Sequence, residues 1–303
     1  MNDSNQLREK IARLKEELGA VIIAHNYQRP EIQDIADFVG DSLELSQQSS
    51  RIEARTIVFC GVHFMAETAV IINPDRTVLL SAGNAGCPMA DMITVSQLRE
   101  WKKKYPGIPV VCYVNTSAAV KAESDICCTS ANGVRVVESL AGNDIIFIPD
   151  KNLGQYVATQ TRKNIFLYNG FCRVHNRITP EQVEYARKLH PDALLIVHPE
   201  CRPEVITLAE AALSTSQMLR YIKASPYRSF IIGTEAGMIH RLRQENPDKY
   251  FYLISNLQTC INMKRTTLDT LARTMEFKKN IITVPEEIRI KAKQTVDRML
   301  SIG

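Results

Sequence analysis

The sequence lacks several features that would assign a protein to a class outright. No apolar run approaches membrane-spanning length, so no helical anchor is expected. No block of lysine and arginine interrupts a net charge of +4, so a nucleic-acid footprint is not expected either. That mild positive balance does suit small anionic ligands. A leader-like segment, a linker, a low-complexity stretch and a lipidation signal are all missing, and the expected location is the cytoplasm, with thiols reduced. Eight cysteines are present without any Cys-x-x-Cys pair, in a 303-residue chain whose 45% apolar content needs no disulfide staples.

What is present is a pattern that occurs three times. An apolar run ends in a polar triplet at His25-Asn26-Tyr27, Tyr113-Val114-Asn115 and His198-Pro199-Glu200. Fifteen residues after the last member of each triplet stands a hydroxyl, at Ser42, Ser130 and Thr215. A further 15 residues on, a second apolar run begins near Ile57, Ile145 and Phe230. A third run follows at Thr77–Leu80, Ile165–Tyr168 and Phe251–Ile254, and just after each lies one cysteine: Cys87, Cys172 and Cys260.

Repeats of this length are whole βαβαβ units. The expected fold is α/β: three similar αβα units with parallel sheets, arranged about a pseudo-threefold axis with the active site at the centre. The repeats run over about 20–90, 108–175 and 192–264. The expected division is residues 1–83 with 284–303, then 84–169, then 170–283. Units this small bury too little surface alone and should pack on one another. An amphipathic N-terminal helix with Leu7, Ile11, Leu14 and Leu18 on one face should end near Gly19. A closing helix over Pro285–Leu300 should pack on the first unit.

Ligands bind beyond the carboxyl ends of parallel strands, where the triplets and hydroxyls fall, and helix N-termini there offer free N–H groups to phosphate or carboxylate. His198 and Glu200, two apart on an extended segment, would point to one side and suit proton abstraction and return. His25 with Tyr27, and Tyr113 with Asn115, share that spacing, and His175 lies three residues beyond Cys172. Cys60, Cys112 and Cys201 read as buried small hydrophobes, and Cys127-Cys128 as structural. Cys87, Cys172 and Cys260 stand in equivalent loops and could converge. Three thiolates could hold zinc with a fourth ligand, or a cubane iron–sulfur cluster with one iron open.

Nine segments, in order over nearly the whole chain, resemble the quinolinate synthase family. They are Ala24-His25-Asn26-Tyr27-Gln28, Gly40-Asp41-Ser42-Leu43, Met65-Ala66-Glu67-Thr68, Cys87-Pro88-Met89-Ala90, Tyr113-Val114-Asn115, Thr129-Ser130-Ala131-Asn132, Gly170-Phe171-Cys172-Arg173-Val174-His175, His198-Pro199-Glu200-Cys201 and Cys260-Ile261-Asn262-Met263-Lys264. The chain resembles the shorter form, because Gln258-Thr259 carries no Cys-x-x-Cys running into the last cysteine. The resemblance implies a [4Fe–4S] cluster on Cys87, Cys172 and Cys260 with one iron open as a Lewis acid. It implies condensation of iminoaspartate with dihydroxyacetone phosphate, losing phosphate and two waters, to give quinolinate for NAD biosynthesis. Glu200 and Tyr27 would then act as acid/base groups, and His198, His175 and His25 would orient anions and assist proton movement. Tyr113 and Asn115 would hold the substrate, and Ser42, Ser130 and Thr215 would anchor its phosphate or carboxylates. The imine would come from an aspartate-oxidising enzyme, and the chain would act as a monomer or homodimer. Two other readings are a zinc-dependent lyase or hydrolase on the same cysteines, and an iron–sulfur sensor. A sensor needs a partner-reading element that the chain does not show.

Overall fold

In the computed structural model, which describes residues 3–302, helix α1 (Asp3–Leu18) buries Ile11 and Leu14 and stops at Gly19. Gly19 has a φ of +52°, a conformation glycine adopts without a Cβ penalty, and its N–H donates to Glu16 O at 3.1 Å.

The first unit then runs β1 (Ala20–His25), α2 (Pro30–Gln33), β2 (Phe38–Gly40), α3 (Ser42–Ser49), β3 (Thr56–Cys60), α4 (His63–Ile72) and β4 (Thr77–Leu80). The second repeats it: α5 (Val95–Lys104), β5 (Val110–Tyr113), α6 (Ala118–Ala122), β6 (Ile126–Cys128), α7 (Gly133–Ser139), β7 (Asp144–Ile148), α8 (Lys151–Thr159) and β8 (Asn164–Leu167). The third does so again: α9 (Arg173–Asn176), α10 (Pro180–Leu189), β9 (Leu194–Val197), α11 (Pro203–Ile206), β10 (Ala211–Ala212), α12 (Thr215–Ala224), β11 (Ser229–Gly233), α13 (Met238–Glu245) and β12 (Tyr250–Leu253). Each unit is a four-stranded parallel sheet, in the orders β2-β1-β3-β4, β6-β5-β7-β8 and β10-β9-β11-β12. The fold is therefore α/β with three αβα units. The strands β2, β6 and β10, two or three residues long, are absent from the sequence pattern because so few residues carry no periodicity.

Those short strands explain the 15-residue spacing. Register pairs His25 with Gly40, Tyr113 with Cys128, and Val197 with Ala212, each 15 apart. The hydroxyl that follows each short strand is thus set beside its polar triplet. The spacing is a strand register.

The inner faces of all three sheets share one core, in which Ile23 and Ile57 meet Val111 and Phe147 of the second unit and Ile196 and Phe230 of the third. After each fourth strand the chain passes its cysteine and, seven residues later, enters a helix through a threonine N-cap: Thr94, Thr179 and Thr267, each with a reciprocal capping box. Two of these helices, α5 and α10, open the next unit. The third, α14 (Leu268–Glu276), returns to the first unit and packs Leu271 and Met275 with Ile11 and Ile22. The ring of units is closed by that return.

The closing helix α15 (Glu286–Ile302) departs from expectation. It seats Ala292, Val296 and Met299 mainly over α6 and β6 of the second unit, and touches α4 of the first. Cys127 Sγ–H donates to Thr295 Oγ1 at 3.3 Å, and Arg298 donates to Asp125 O at 2.9 Å. The reason is coverage: α6 has five residues, too few to bury the fully enclosed Ile126–Cys128 strand, and α15 supplies the missing face. Among the described residues no helix is long and apolar enough to cross a membrane.

Candidate active site

The carboxyl ends of the three sheets meet around a cavity of about 350 Å³. Each of the thirteen residues singled out above lines it: His25, Tyr27, Ser42 and Cys87 from the first unit, Tyr113, Asn115, Ser130 and Cys172 from the second, and His175, His198, Glu200, Thr215 and Cys260 from the third. The remaining cysteines, Cys60, Cys112, Cys127, Cys128 and Cys201, are fully buried away from it.

The first and third triplets are turns, where an extended segment was expected. His198 O accepts from Cys201 N–H at 3.0 Å, and His25 O from Gln28 N–H at 2.9 Å. Within each turn the i+2 amide donates to the histidine: Tyr27 N–H to His25 Nδ1 at 3.1 Å, and Glu200 N–H to His198 Nδ1 at 3.3 Å. An accepting Nδ1 puts the ring proton of the neutral imidazole on Nε2. Burial lowers His25 to about 4 and His198 to about 3, so both rings are neutral donors at physiological pH. His198 Nε2 lies 3.2 Å from Ser130 Oγ.

At the centre is Glu200, buried among three partners. Tyr113 O–H donates to its Oε1 at 2.6 Å, His175 Nδ1 lies 2.5 Å from its Oε2, and Asn152 Nδ2 donates to its main-chain O at 3.0 Å. Burial opposes ionisation of Glu200, but the neighbouring His175 outweighs it and holds the carboxyl well below the usual range. Burial pushes Tyr27 and Tyr113 the other way, well above the ordinary phenol value, with the Glu200 charge adding to it. The site therefore combines a carboxylate with neutral phenols and with the neutral imidazoles of His25 and His198.

All three cavity cysteines are free and half-buried. Burial raises their thiols, Cys87 to about 12, so without a cation they stay protonated. The ligand atoms of Cys172, His175 and Glu200 lie within 4.8 Å of one another, a group that could hold a metal ion. Ser42 and Thr215 are the first residues of α3 and α12, while Ser130 sits in the turn before α7. Asn115 Oδ1 is buried without a hydrogen-bond partner and belongs to a cavity-lining residue.

Four supporting residues escaped the sequence reading. Asp150 caps α8 with Oδ1, accepting from Asn152 and Leu153 N–H, and takes Cys172 N–H on Oδ2 at 3.1 Å. Glu235 takes Cys260 N–H on Oε1 at 2.9 Å and meets Gly237 N–H and Lys264 Nζ on Oε2. Lys264 Nζ also donates to Tyr27 O, and Thr234 joins Tyr27 to His175. Asp150, Thr234 and Glu235 immediately follow β7 and β11, so the ends of each unit's second apolar run carried the signal. Val62 holds the corresponding place after β3, and Cys87 has no carboxylate there.

The sequence profile of the quinolinate synthetase A protein family matches residues 9–301. Relatives named quinolinate synthase include that of Methanoregula boonei, 53% identical over 302 residues and covering 100% of both chains. That of Dehalococcoides mccartyi strain CBDB1 is 54% identical over 296 residues, 98% of each chain. That of Thermodesulfovibrio yellowstonii is 53% identical over 299 residues, 98% of this chain and 99% of the relative. With a profile match over almost its whole length and relatives above half identity end to end, the chain belongs to the quinolinate synthase family of enzymes.

Proposed function

We propose that the cavity condenses iminoaspartate with dihydroxyacetone phosphate to give quinolinate, with loss of phosphate and two waters, in de novo NAD biosynthesis. The observation that carries this reading is one cavity shared by three free cysteines, a buried carboxylate and neutral proton donors from all three units. The donor set fits a [4Fe–4S] cluster in its chemistry: three free thiols from equivalent loops line one cavity. Cys87, Cys172 and Cys260 would hold it. Bound there, a cluster with one open iron supplies a Lewis acid for loss of a hydroxyl group.

The chain's own groups bind and move protons. Ser42 and Thr215 present hydroxyls at the first turns of α3 and α12, where free N–H groups favour a phosphate or carboxylate. His25 and His198 add Nε2–H donors to anion oxygens without adding charge. Asn115 Oδ1, unpartnered, is an acceptor for a substrate N–H or O–H. Tyr113 and Tyr27 donate protons and Glu200 accepts them, with His175 as the intermediary, as imine formation and tautomerisation require. Val62, Phe64, Met65, Met89 and Met263 supply apolar walls, which keep water out while water is being lost. The setting is the cytoplasm, an aspartate-oxidising enzyme supplies the imine, and the chain works alone or as a homodimer.

The Cys172, His175 and Glu200 group favours one second reading, a zinc-dependent lyase or hydrolase. Iron, zinc and acid-labile sulfide on anaerobically purified protein separate the two. About four irons and four sulfides per chain, lost in Cys87→Ser, Cys172→Ser and Cys260→Ser and kept in Cys201→Ser, support the cluster, and quinolinate formation from the two substrates supports the reaction. Zinc without sulfide refutes both.

A further inference from the structure

We propose that Lys121 is a positioning residue for substrate binding: clamped on the two carbonyls that flank Asn115, it fixes the bend that keeps the Asn115 amide in the cavity. This deepens the reaction reading above and rests on it.

Lys121 lies in α6 and is fully buried. Its Nζ donates to Val114 O at 2.8 Å and to Thr116 O at 2.5 Å. It also stands over the ring of Phe64, 5.6 Å from the centroid. Among the described residues no carboxylate pairs with it. Burying an ammonium is costly unless its donors are met, and here carbonyls and an aromatic face meet them. An apolar side chain could fill the same space, but it would leave both carbonyls bare in a buried setting.

What the lysine holds is the bend over 114–116. Thr116 N–H donates to Val114 O at 2.8 Å, closing a three-residue turn with Asn115 at its apex. Val114 N–H donates to Cys128 O at 2.9 Å, which ties the bend to the end of β6. Thr116, itself fully buried, donates its hydroxyl to Tyr113 O at 3.2 Å. With both flanking peptides held, the backbone at Asn115 cannot rotate, and its side chain stays among the cavity-lining groups. There Asn115 Oδ1 is buried and unpartnered, the acceptor assigned above to a substrate N–H or O–H.

The three units brace their triplets with different donors. The last carbonyl of the first triplet, Tyr27 O, accepts from Lys264 Nζ, and that of the third, Glu200 O, accepts from Asn152 Nδ2. Those two triplets also carry a histidine whose Nδ1 takes the amide two residues on. Tyr113 opens the second triplet and offers no such nitrogen, so the bend depends on its carbonyls, and Lys121 holds two of them. The lysine also reaches between units, because Phe64 lies in the first turn of α4 and lines the cavity as well.

This role leaves a kinetic pattern that a purely structural one does not. An Asn115 that swings away weakens binding of the molecule it touches, in ground and transition states alike, so KM rises while kcat stays. Loss of fold alone lowers the active fraction and leaves KM where it was.

The test compares Lys121→Met, Lys121→Gln, Asn115→Ala and the Lys121→Met, Asn115→Ala double variant in anaerobically purified, metal-loaded protein, well below its thermal midpoint. kcat, corrected for iron content, and KM for each substrate are read beside that midpoint. Asn115→Ala is expected to raise KM for one substrate by about 10-fold, and Lys121→Met to raise the same KM by about 3- to 10-fold, with kcat within about threefold of the parent. Lys121→Gln, whose amide N–H can still reach one carbonyl, falls between Lys121→Met and the parent. In the Asn115→Ala background Lys121→Met adds less than about twofold, because the contact it disturbs is already absent. If Lys121→Met does not fold, Lys121→Gln completes the same cycle. The proposal falls if KM holds while kcat or the midpoint drops, if the KM that rises is that of the other substrate, or if the Lys121 and Asn115 losses simply multiply. A parent that makes no quinolinate overturns the reaction reading and this role with it. Parent activity with a KM unresponsive to Lys121 overturns this role alone.

Discussion

Gly237→Ala isolates the placement of Tyr27 from its chemistry. Gly237 precedes α13 with φ −60° and ψ −23°, an ordinary conformation, so alanine brings no backbone strain. A Cβ at this position would lie 2.7 Å from both the carbonyl carbon and oxygen of Tyr27, and 2.7 Å from Lys264 Nζ. Ordinary carbon contacts are about 3.5–4.0 Å, so Tyr27 or the start of α13 must retreat by roughly 0.8 Å. The lysine tip can swing aside, but it then gives up Tyr27 O, and the peptide cannot swing at all. Overpacking of this kind costs about 1–3 kcal/mol, equivalent to roughly 2–5 °C in Tm for a chain of this size. The retreat also draws Tyr27 Oη from Thr234, and a misplacement near 1 Å costs on the order of 100-fold in rate. Thermal unfolding and kcat/KM for quinolinate formation, measured on protein with parent-level iron, report the two effects. A variant with the parent's Tm and with activity within about twofold would refute the steric reasoning. Gly86→Ala, whose Cβ meets nothing within 4 Å, should leave Tm unchanged.

Glu200→Gln should lower kcat by about 100- to 1000-fold, because the amide neither accepts a proton nor receives His175 Nδ1–H on its NH₂ side; a loss under tenfold in steady-state assays would count against its role. Lys121→Met should destabilise by about 2–4 kcal/mol in urea unfolding, since Lys121 Nζ is fully buried, donates to Val114 O and Thr116 O on either side of Asn115, and its removal leaves both carbonyls bare. If the midpoint does not move, those carbonyls find other partners. His25 is neutral in the fold and lowered to about 4, whereas unfolded histidine titrates near 6.5, so the unfolded chain binds more protons between those values. Stability should fall as pH drops from 6.5 towards 4, by up to about 3 kcal/mol from this residue, and the slope should flatten in His25→Gln; an equal slope in the variant would show that His25 does not contribute.

The sequence by itself determined the threefold repeat and the α/β class, because strand and helix periods are local and the three copies reinforce one another. It also marked residues that line the cavity. Polar triplets and cysteines at carboxyl-terminal strand ends have one place to go in a parallel sheet, and so their convergence was legible from spacing.

Only tertiary structure decided how these groups engage. The 15-residue offset marked the hydroxyls, but strands as short as Ala211–Ala212 have no pattern of their own, and the register that sets Ala212 against Val197, three residues before Thr215 and Glu200 respectively, appears only when β10 pairs with β9. The partners of Glu200 lie 25 residues away at His175 and 87 away at Tyr113, separations on which sequence spacing is silent. Thr234, Glu235 and Asp150 follow the third strand of their units, where the first unit has Gly61 and Val62, so no threefold pattern drew attention to them. The closing helix was legible as a helix, but not its seat. That seat depends on how much of β6 the short α6 leaves bare, a matter of surface to be buried and not of local propensity. Periodicity reports what a segment buries, while the face it buries against is settled by what the rest of the chain leaves uncovered.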